Sequence, residues 1–516
     1  MCGVMGVIKC GSSAQALAGS DGVISAQDLA ARAEESAAYQ VYKGLLMLQH
    51  RGQDAAGILS FDFSDHRFHL KKNLGLVGSV FKEGDLQDIP GPMAIGHNRY
   101  ATMGGDGLRD VQPMALGHPY GIGLGHNGNL VNYRELKELL EKKYKAQLLT
   151  ANDAEILLQL WGQLLVENIG QGGDFNFEDS KKATFSLFEK AKGAYSVVGL
   201  VAGEGMFAFR DPWGIRPLVL GKKTNADGEV EYSLASETGS LRFLQHEYVR
   251  EIKPGEYLFI HRTGKIDCAV MPLPQTQKAS PCMFEWVYFA GAEGVVGDKA
   301  VYSVRLRLGE LLAKKVSASM QARNWRPDII MPVPDTSRSA GLAMAEALAI
   351  PYREGLIKNR YIQRSFILSE QEKREKAVEL KLIPVVSEIV GKSILLVDDS
   401  IVRGTTSKKI VGLLKSLGAR EVHLAITCPP IRHACFYGID YPEKEQLLAG
   451  NRSEEQMAQW IGCQELVFLD TDDLHQAIGK NDLCLGCLNG NYPVGGECQE
   501  KFGQDRQKYK LKENKQ

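Results

Sequence analysis

The chain has 516 residues, of which 61 are basic and 62 acidic, for a net charge of -1. That length allows two to four domains and a full core without staples, and the even charge balance carries no excess suited to nucleic acid or a membrane surface. No apolar run reaches the ~18 residues of a membrane span. The opening Met-Cys-Gly-Val-Met-Gly-Val-Ile-Lys lacks the basic and apolar regions of a secretory signal. A cytoplasmic location is expected, where the ten cysteines are free, ligating or catalytic rather than disulfide-bonded.

In chain order, residues 26–48 read as a helix, 91–97 and 120–126 as short strands, 134–145 and 153–165 as helices, and 195–201 as a strand. Strands with helices set apart, and no regular βαβ rhythm, predict a layered α+β domain over residues 2–270. The polar segment 272–281 reads as a linker. The rhythm then changes: helix 302–324, strand 328–333, helix 340–348, strand 393–398, helix 407–417 and strand 421–426. This alternation predicts an α/β domain over 271–470 with a mostly parallel sheet covered by helices. The charged stretch 369–381 reads as a mobile excursion between sheet elements, and 471–516 as a C-terminal segment whose polar end frays.

The most specific chemistry lies at Ile394-Leu-Leu-Val-Asp-Asp-Ser-Ile-Val-Arg-Gly-Thr-Thr-Ser407. A buried strand ends in two adjacent carboxylates, and a Gly-Thr-Thr-Ser turn opens a helix. Ligands of open α/β sheets sit at the carboxyl ends of strands, and free N–H groups at a turn and helix N-terminus favour a phosphate. Asp398 and Asp399 beside it suit ribose hydroxyls or Mg²⁺. A second turn, Met331-Pro-Val-Pro-Asp-Thr-Ser, places Thr336 and Ser337 where pyrophosphate oxygens or the metal would be met, although Pro-Asp-Thr-Ser is also a common turn.

At the other end, a Cys2 exposed by removal of the preceding Met carries its own base. An α-amine with a pKa of roughly 7.7–8.0 is partly unprotonated near neutrality and accepts the thiol proton. The position alone favours an incidental second residue.

The motifs His50-Arg-Gly-Gln-Asp-Ala-Ala-Gly, Gly96-His-Asn-Arg-Tyr-Ala-Thr, Gly125-His-Asn-Gly-Asn-Leu and Asn152-Asp-Ala-Glu decide between these. In this order they resemble the glutaminase domain of N-terminal-nucleophile (class II) amidotransferases. The resemblance implies Cys2 as nucleophile and an oxyanion hole from Asn127 and the Gly128 amide. It assigns Arg99 and Thr102 to the glutamine carboxylate, Asp153 to its ammonium, and Arg51 to closure of the site. His50, His97 and His126 read as structural, because the α-amine already supplies the base. The acidic-pair segment resembles the signature of type I phosphoribosyltransferases, which implies that Asp398 and Asp399 meet the ribose and its Mg²⁺. The same likeness gives Arg403, Gly404, Thr405, Thr406 and Ser407 to the 5-phosphate, Ser337 to the pyrophosphate and Thr336 to the metal. Residues 355–367 resemble a loop that orders over the bound substrate, with Lys358, Arg360 and Arg364 as its cations.

Both halves together resemble the amidophosphoribosyltransferase family. It converts glutamine, water and phosphoribosyl pyrophosphate to 5-phosphoribosylamine, glutamate and pyrophosphate, the first step of de novo purine nucleotide synthesis. The alternative is a weakened or regulatory paralogue that senses nucleotides or phosphoribosyl pyrophosphate. The resemblance further implies purine nucleotides as feedback inhibitors, a homo-oligomer (dimer or tetramer), and neither nucleic-acid nor membrane partners. Two departures from the family pattern, Gly291-Ala-Glu-Gly294 and Ile383, bear on domain coupling and nucleotide feedback.

Cys484-Leu-Gly-Cys487 alone is open to redox, zinc or no role. With Cys282 and Cys435 it resembles the ligand set of the family's [4Fe–4S]-bearing branch; zinc is the rival, and Cys428, Cys463 and Cys498 are spare thiols.

Overall fold

The computed structural model describes residues 2–11, 36–82, 84–100, 107–170, 172–359, 382–439 and 444–495. They fold as two compact units, Met1–Cys282 with Phe436–Asp440 and Pro493–Gln516, and Met283–Cys435 with Tyr441–Tyr492.

The first unit is built from two antiparallel sheets. Gly3–Cys10 is the middle strand of a seven-stranded sheet, paired with Met93–Arg99 on one side and Val230–Ala235 on the other. Ile122–Leu130 and Gly193–Val201 lie within a six-stranded sheet. Alternation along the strands sends one set of side chains between the sheets. Val4, Ile8, Leu59 and Ile95 from one sheet join Val198, Leu200 and Met206 from the other in a single buried cluster. The opposite faces are covered by helices, Ala37–Met47 over the first sheet and Asp153–Ile169 with Phe177–Lys190 over the second. The result is a helix–sheet–sheet–helix stack, the layered α+β class expected. Each fully buried Leu, Val or Phe in it stabilises the stack by roughly 1.5–3 kcal/mol relative to exposure.

Local signals set the helix starts. Ser36 Oγ accepts from Tyr39 N at 3.1 Å, and Asn152 Oδ1 accepts from Ala154 N at 2.9 Å, each satisfying an amide the first turn leaves free. The expected helix 26–48 is described from Ala37 onward; its earlier part falls outside the described residues.

The expected linker is not a free tether. Ser280 N donates to Trp213 O at 2.7 Å and Gln277 Nε2 to Pro212 O at 3.3 Å. The segment therefore lies along the 211–215 turn and belongs to the first unit through Cys282.

The second unit carries four parallel strands in the order Ile329–Pro332, Ser393–Asp398, Glu421–Ile426, Leu466–Phe468. Helices Val301–Arg323, Arg338–Leu348 and Thr405–Ser416 are interleaved with them. Two short strands on either side of the expected excursion, Leu356–Lys358 and Leu382–Pro384, pair antiparallel. Residues 360–381, including Arg360 and Arg364, fall outside the described residues. Residues 471–492 pack with the second unit, helix Thr471–Ile478 lying against helix Val301–Arg323. Among the described residues no helix is long and apolar enough to cross a membrane.

Candidate active site

Cys2 sits at the head of the strand Gly3–Cys10 and is buried. Its backbone N donates to Asn127 Oδ1 at 3.3 Å, and its Sγ approaches Tyr100 O at 3.7 Å. Its carbonyl accepts from Arg51 Nε at 3.2 Å. Arg51 is itself buried and paired through Nη1 with Glu237, whose same oxygen accepts from His50 Nε2 at 2.9 Å. The Cys2 backbone is thus held by two polar side chains, Arg51 from the turn after helix Ala37–Met47 and Asn127 from the strand Ile122–Leu130.

Asn127 lies on the strand Ile122–Leu130. With its oxygen taken by Cys2 N, its Nδ2 is buried and unpartnered among the described residues. A buried donor left unmade costs about 1–3 kcal/mol and calls for an acceptor that arrives with substrate. Gly128 beside it has φ +153°, and a Cβ there would fall 1.8 Å from Ala194 O, so only glycine brings this amide so close to the neighbouring strand.

Asp153 opens the helix Asp153–Ile169. Its carboxylate accepts from Leu130 N at 3.0 Å and lies 3.5 Å from His126 Nε2. Burial acts to raise its pKa, but the adjacent His126 and the Leu130 amide together hold it below the usual carboxylate range. Gln112 organises the same corner, accepting from His126 N at 2.8 Å. His97 is buried with Nε2 3.1 Å from His126 O; burial, then His126, keeps it well below the ordinary imidazole range and hence neutral. Arg99 is buried at the end of the strand Met93–Arg99. Thr102 falls outside the described residues.

In the second unit, the strand Ser393–Asp398 delivers the acidic pair at its carboxyl end. Asp398 Oδ1 accepts from Asp399 N at 2.9 Å and from Ser337 Oγ at 3.3 Å, which joins the two phosphate-side turns. Burial first, then the Asp399 charge, pushes Asp398 well above the carboxylate range. Burial lifts Asp399 to about 6, opposed by the Ser400 hydroxyl and the Arg305 charge. Gly404, at φ +76°, precedes helix Thr405–Ser416 and supplies no side-chain cap, so the first-turn amides at Thr405, Thr406 and Ser407 face outward for an anion. Arg403 is exposed beside them, Ser407 is buried, and Lys358 Nζ reaches Asp335 at 2.8 Å, one residue before Thr336.

Sequence reasoning gave no role to Glu237, Gln112 or Arg305. Arg305 is buried and donates to Trp286 O at 2.9 Å and to Tyr288 O and Ala290 O at 3.0 and 2.8 Å; a buried Arg in a helix is the signal that a carbonyl-rich turn needs it. The departure Gly291–Gly294 makes a turn held to that helix's start, Val301 N donating to Gly294 O at 3.0 Å and Tyr302 N to Ala292 O at 3.1 Å. Ile383 is exposed, opposite Ile357 in the short ladder.

A glutamine amidotransferase domain model matches residues 97–242 and a phosphoribosyl transferase domain model residues 305–445. The amidophosphoribosyltransferase of Methanocaldococcus jannaschii is 40% identical over 471 residues, covering 89% of this chain and 94% of that protein. The chain belongs to the amidophosphoribosyltransferase family. The Escherichia coli member is 40% identical over 444 residues, covering 85% of each chain. The solved glutamine phosphoribosylpyrophosphate amidotransferase from B. subtilis, complexed with ADP and GMP, superposes with a TM-score of 0.78 at 35% identity, over 96% of this chain and 98% of that one. The two halves read from the sequence are thus those of one enzyme family, a glutamine amidotransferase followed by a phosphoribosyltransferase.

Proposed function

We propose that the chain makes 5-phosphoribosylamine, glutamate and pyrophosphate from glutamine, water and phosphoribosyl pyrophosphate. The observation that carries the glutaminase half is the buried, unpartnered Asn127 Nδ2 beside Cys2. The Cys2 thiol gives its proton to the α-amine, and the resulting thiolate attacks the glutamine carboxamide. Asn127 Nδ2 and the Gly128 amide take the charge that develops on the carbonyl oxygen. The amine returns a proton to the leaving ammonia, and water then releases glutamate. Arg99 and Thr102 hold the glutamine carboxylate and Asp153 its ammonium. Because His97 stays neutral and His126 is occupied with Asp153 and Gln112, the amine is the base this site favours.

In the transferase half, ammonia replaces pyrophosphate at C1 of the ribose. Asp398 and Asp399 face the ribose hydroxyls, the 403–407 turn holds the 5-phosphate, and Ser337 and Lys358 lie toward the pyrophosphate. Asp398, Asp399 and Thr336 suit a hard cation: two carboxylates share one strand end, and Ser337, next in the chain to Thr336, brings its hydroxyl to Asp398. Mg²⁺ bound there would neutralise charge on the departing pyrophosphate. Purine nucleotides as inhibitors and a homo-oligomer belong to the same reading.

Cys282, Cys435, Cys484 and Cys487 are buried, and four thiols are a donor set that suits a [4Fe–4S] cluster. Arg432 N and His433 N both donate to Cys487 O at 3.0 Å, which ties the chain leading to Cys435 to the C-x-x-C. Cys463 is a poor competitor, because burial pushes its thiol up to about 12.

The test is purified protein with glutamine, phosphoribosyl pyrophosphate and Mg²⁺, following pyrophosphate release. Turnover that requires all three is expected. Phosphoribosyl pyrophosphate binding without pyrophosphate release from glutamine or ammonia would favour the sensor alternative instead.

A further inference from the structure

The first unit contains a short piece of chain from far downstream. Residues 436–439 fold with the glutaminase, although Cys435 before them and Tyr441 after them belong to the second unit. Three contacts hold this piece. Asn129 Nδ2 donates to Phe436 O at 2.9 Å. Arg216 Nε donates to Tyr437 O at 2.8 Å, and its Nη2 reaches the same oxygen. Gly438, at φ +96°, lies against Gly128, so close that a Cβ on it would meet the Gly128 carbonyl oxygen at 3.0 Å and its carbonyl carbon at 3.1 Å.

These contacts converge on the backbone that presents the oxyanion donors. Gly128 is free of side-chain bulk, and on its other side it already abuts Ala194. Its peptide is therefore sandwiched between the strand Gly193–Val201 and the 436–438 piece. Removing the latter leaves the amide without one wall. Arg216 is fully buried, and its own carbonyl is held by Ser196 Oγ at 2.9 Å, so the clamp is anchored on the sheet rather than on a loop. Tyr437 is buried too, and its hydroxyl accepts from Val494 N at 3.1 Å.

We propose that the 436–438 segment is a strap that positions the oxyanion hole, and that Arg216 is the positioning residue that secures it. This goes beyond the assignments above but rests on the reading of Cys2 as nucleophile and Asn127–Gly128 as oxyanion hole. The strap approaches Gly128 and Asn129, whereas Cys2 is held through its carbonyl by Arg51 and through its nitrogen by the side chain of Asn127, so its main effect would fall on the transition state. A group displaced by about 1 Å from its productive place can cost about 10²-fold in rate.

The experiment compares Arg216→Met, Arg216→Lys, Asn129→Ala and Gly438→Ala with wild type in three assays. Glutamine-supported turnover gives kcat and KM. Ammonia-supported synthesis bypasses the oxyanion hole. Alkylation by iodoacetamide, followed by mass spectrometry at the peptide that carries Cys2, reports on that thiol without the oxyanion hole, because the thiolate sulfur forms the S–C bond, iodide leaves and no oxyanion develops. We expect Arg216→Met and Gly438→Ala to lower glutamine-supported kcat by about 10²-fold with KM within about twofold. Arg216→Lys should recover part of that loss, since it keeps a donor but not the fork, and Asn129→Ala should show a smaller loss in kcat. Ammonia-supported rate and alkylation should match wild type throughout. Should Arg216→Met fail to fold, Arg216→Lys and Asn129→Ala decide by the same split. Wild-type kcat in the folded variants, a change confined to KM, or an equal loss of alkylation would each overturn the strap. Cys2→Ala is run alongside: if it kept glutamine-supported turnover, the site reading itself would fall, independently of the strap.

Discussion

The backbone nitrogen of Cys2 and the side-chain oxygen of Asn127 are joined by a 3.3 Å hydrogen bond. This bond orients the carboxamide: its oxygen is committed to the nucleophile's own backbone, and its Nδ2 is buried without a partner among the described residues. In the proposed reaction one side chain therefore both seats Cys2 and supplies a donor for the charge that develops on the substrate.

Asn127→Ala is expected to lower glutamine-supported kcat by about 10²–10³-fold, the usual loss for one oxyanion donor. Ammonia-supported synthesis should be kept. Steady-state kinetics with each nitrogen source decides it; an equal fall with both would place Asn127 outside acyl transfer.

Cys2→Ala is expected to abolish glutamine-supported synthesis and spare synthesis from free ammonia at high pH, where ammonia is unprotonated. Only the glutaminase half needs the thiolate. Pyrophosphate release from ammonia at an unchanged rate is the expected reading; loss of both activities would make Cys2 structural.

The acidic pair predicts a pH dependence with a definite sign. Both carboxyls are raised, Asp399 to about 6 and Asp398 further. A cation needs the ionised pair, so below about pH 6 protons compete with it. Calorimetry should show affinity for Mg²⁺ with phosphoribosyl pyrophosphate falling as pH is lowered through about 6, by up to about tenfold per pH unit for each proton displaced. The same raised values mean that the pair withdraws stability from the unliganded fold as pH rises through 6. Asp398→Asn with Asp399→Asn should remove turnover with either nitrogen source. Affinity that climbed on acidification would contradict the assignment.

Glu237 collects Arg51 and His50 on one buried carboxylate. Glu237→Ala takes that carboxylate from a fully buried guanidinium, a class of change that costs about 3–5 kcal/mol. Denaturant unfolding should show it, together with slower alkylation of Cys2, whose carbonyl Arg51 holds.

For the thiols, Cys484→Ser should lose iron and colour in anaerobically purified protein, while Cys463→Ser, at a buried high-pKa thiol, should keep both. About four irons and four sulfides per chain is the expected analysis. One zinc and no iron would replace the cluster with a zinc site.

Much of this was legible in the sequence, for identifiable reasons. The strands Ser393–Asp398 and Glu421–Ile426 are continuous apolar runs ended by charged or turn residues, and their bounds are those read from the pattern. Helix Phe177–Lys190 escaped the reading although it carries a cap, Asn176 Oδ1 accepting from Asp179 N at 3.0 Å. Its buried stripe of Ser180, Ala183, Thr184, Leu187 and Phe188 is half polar or small, so its period is weak until Thr184 is seen accepting from Trp161 Nε1 at 2.9 Å. Individual site residues with chemical motifs stood out; their supports did not. Glu237 and Arg305 act through partners 186 and 19 positions away, and no local pattern encodes such a meeting. The 436–438 piece is the extreme case, since nothing in Phe-Tyr-Gly announces that it folds with residues 307 positions earlier.

The central place of the strand Gly3–Cys10 has a consequence for synthesis. Its far ladder partner is Val230–Ala235, and Val4 N donates to Ser236 Oγ, 232 positions along the chain. At 5–20 residues per second, a ribosome needs roughly 10–50 s to supply that partner. For that interval the strand lacks one of its two ladder partners, and the Cys2 thiol is more open to oxidants and alkylating reagents. The acyl chemistry stays silent meanwhile, because Asn127 and Gly128 are not yet brought to it. A nascent chain thus carries its nucleophile long before it carries an active site, and oxidative damage during translation should fall on Cys2 more heavily than on the finished, buried residue.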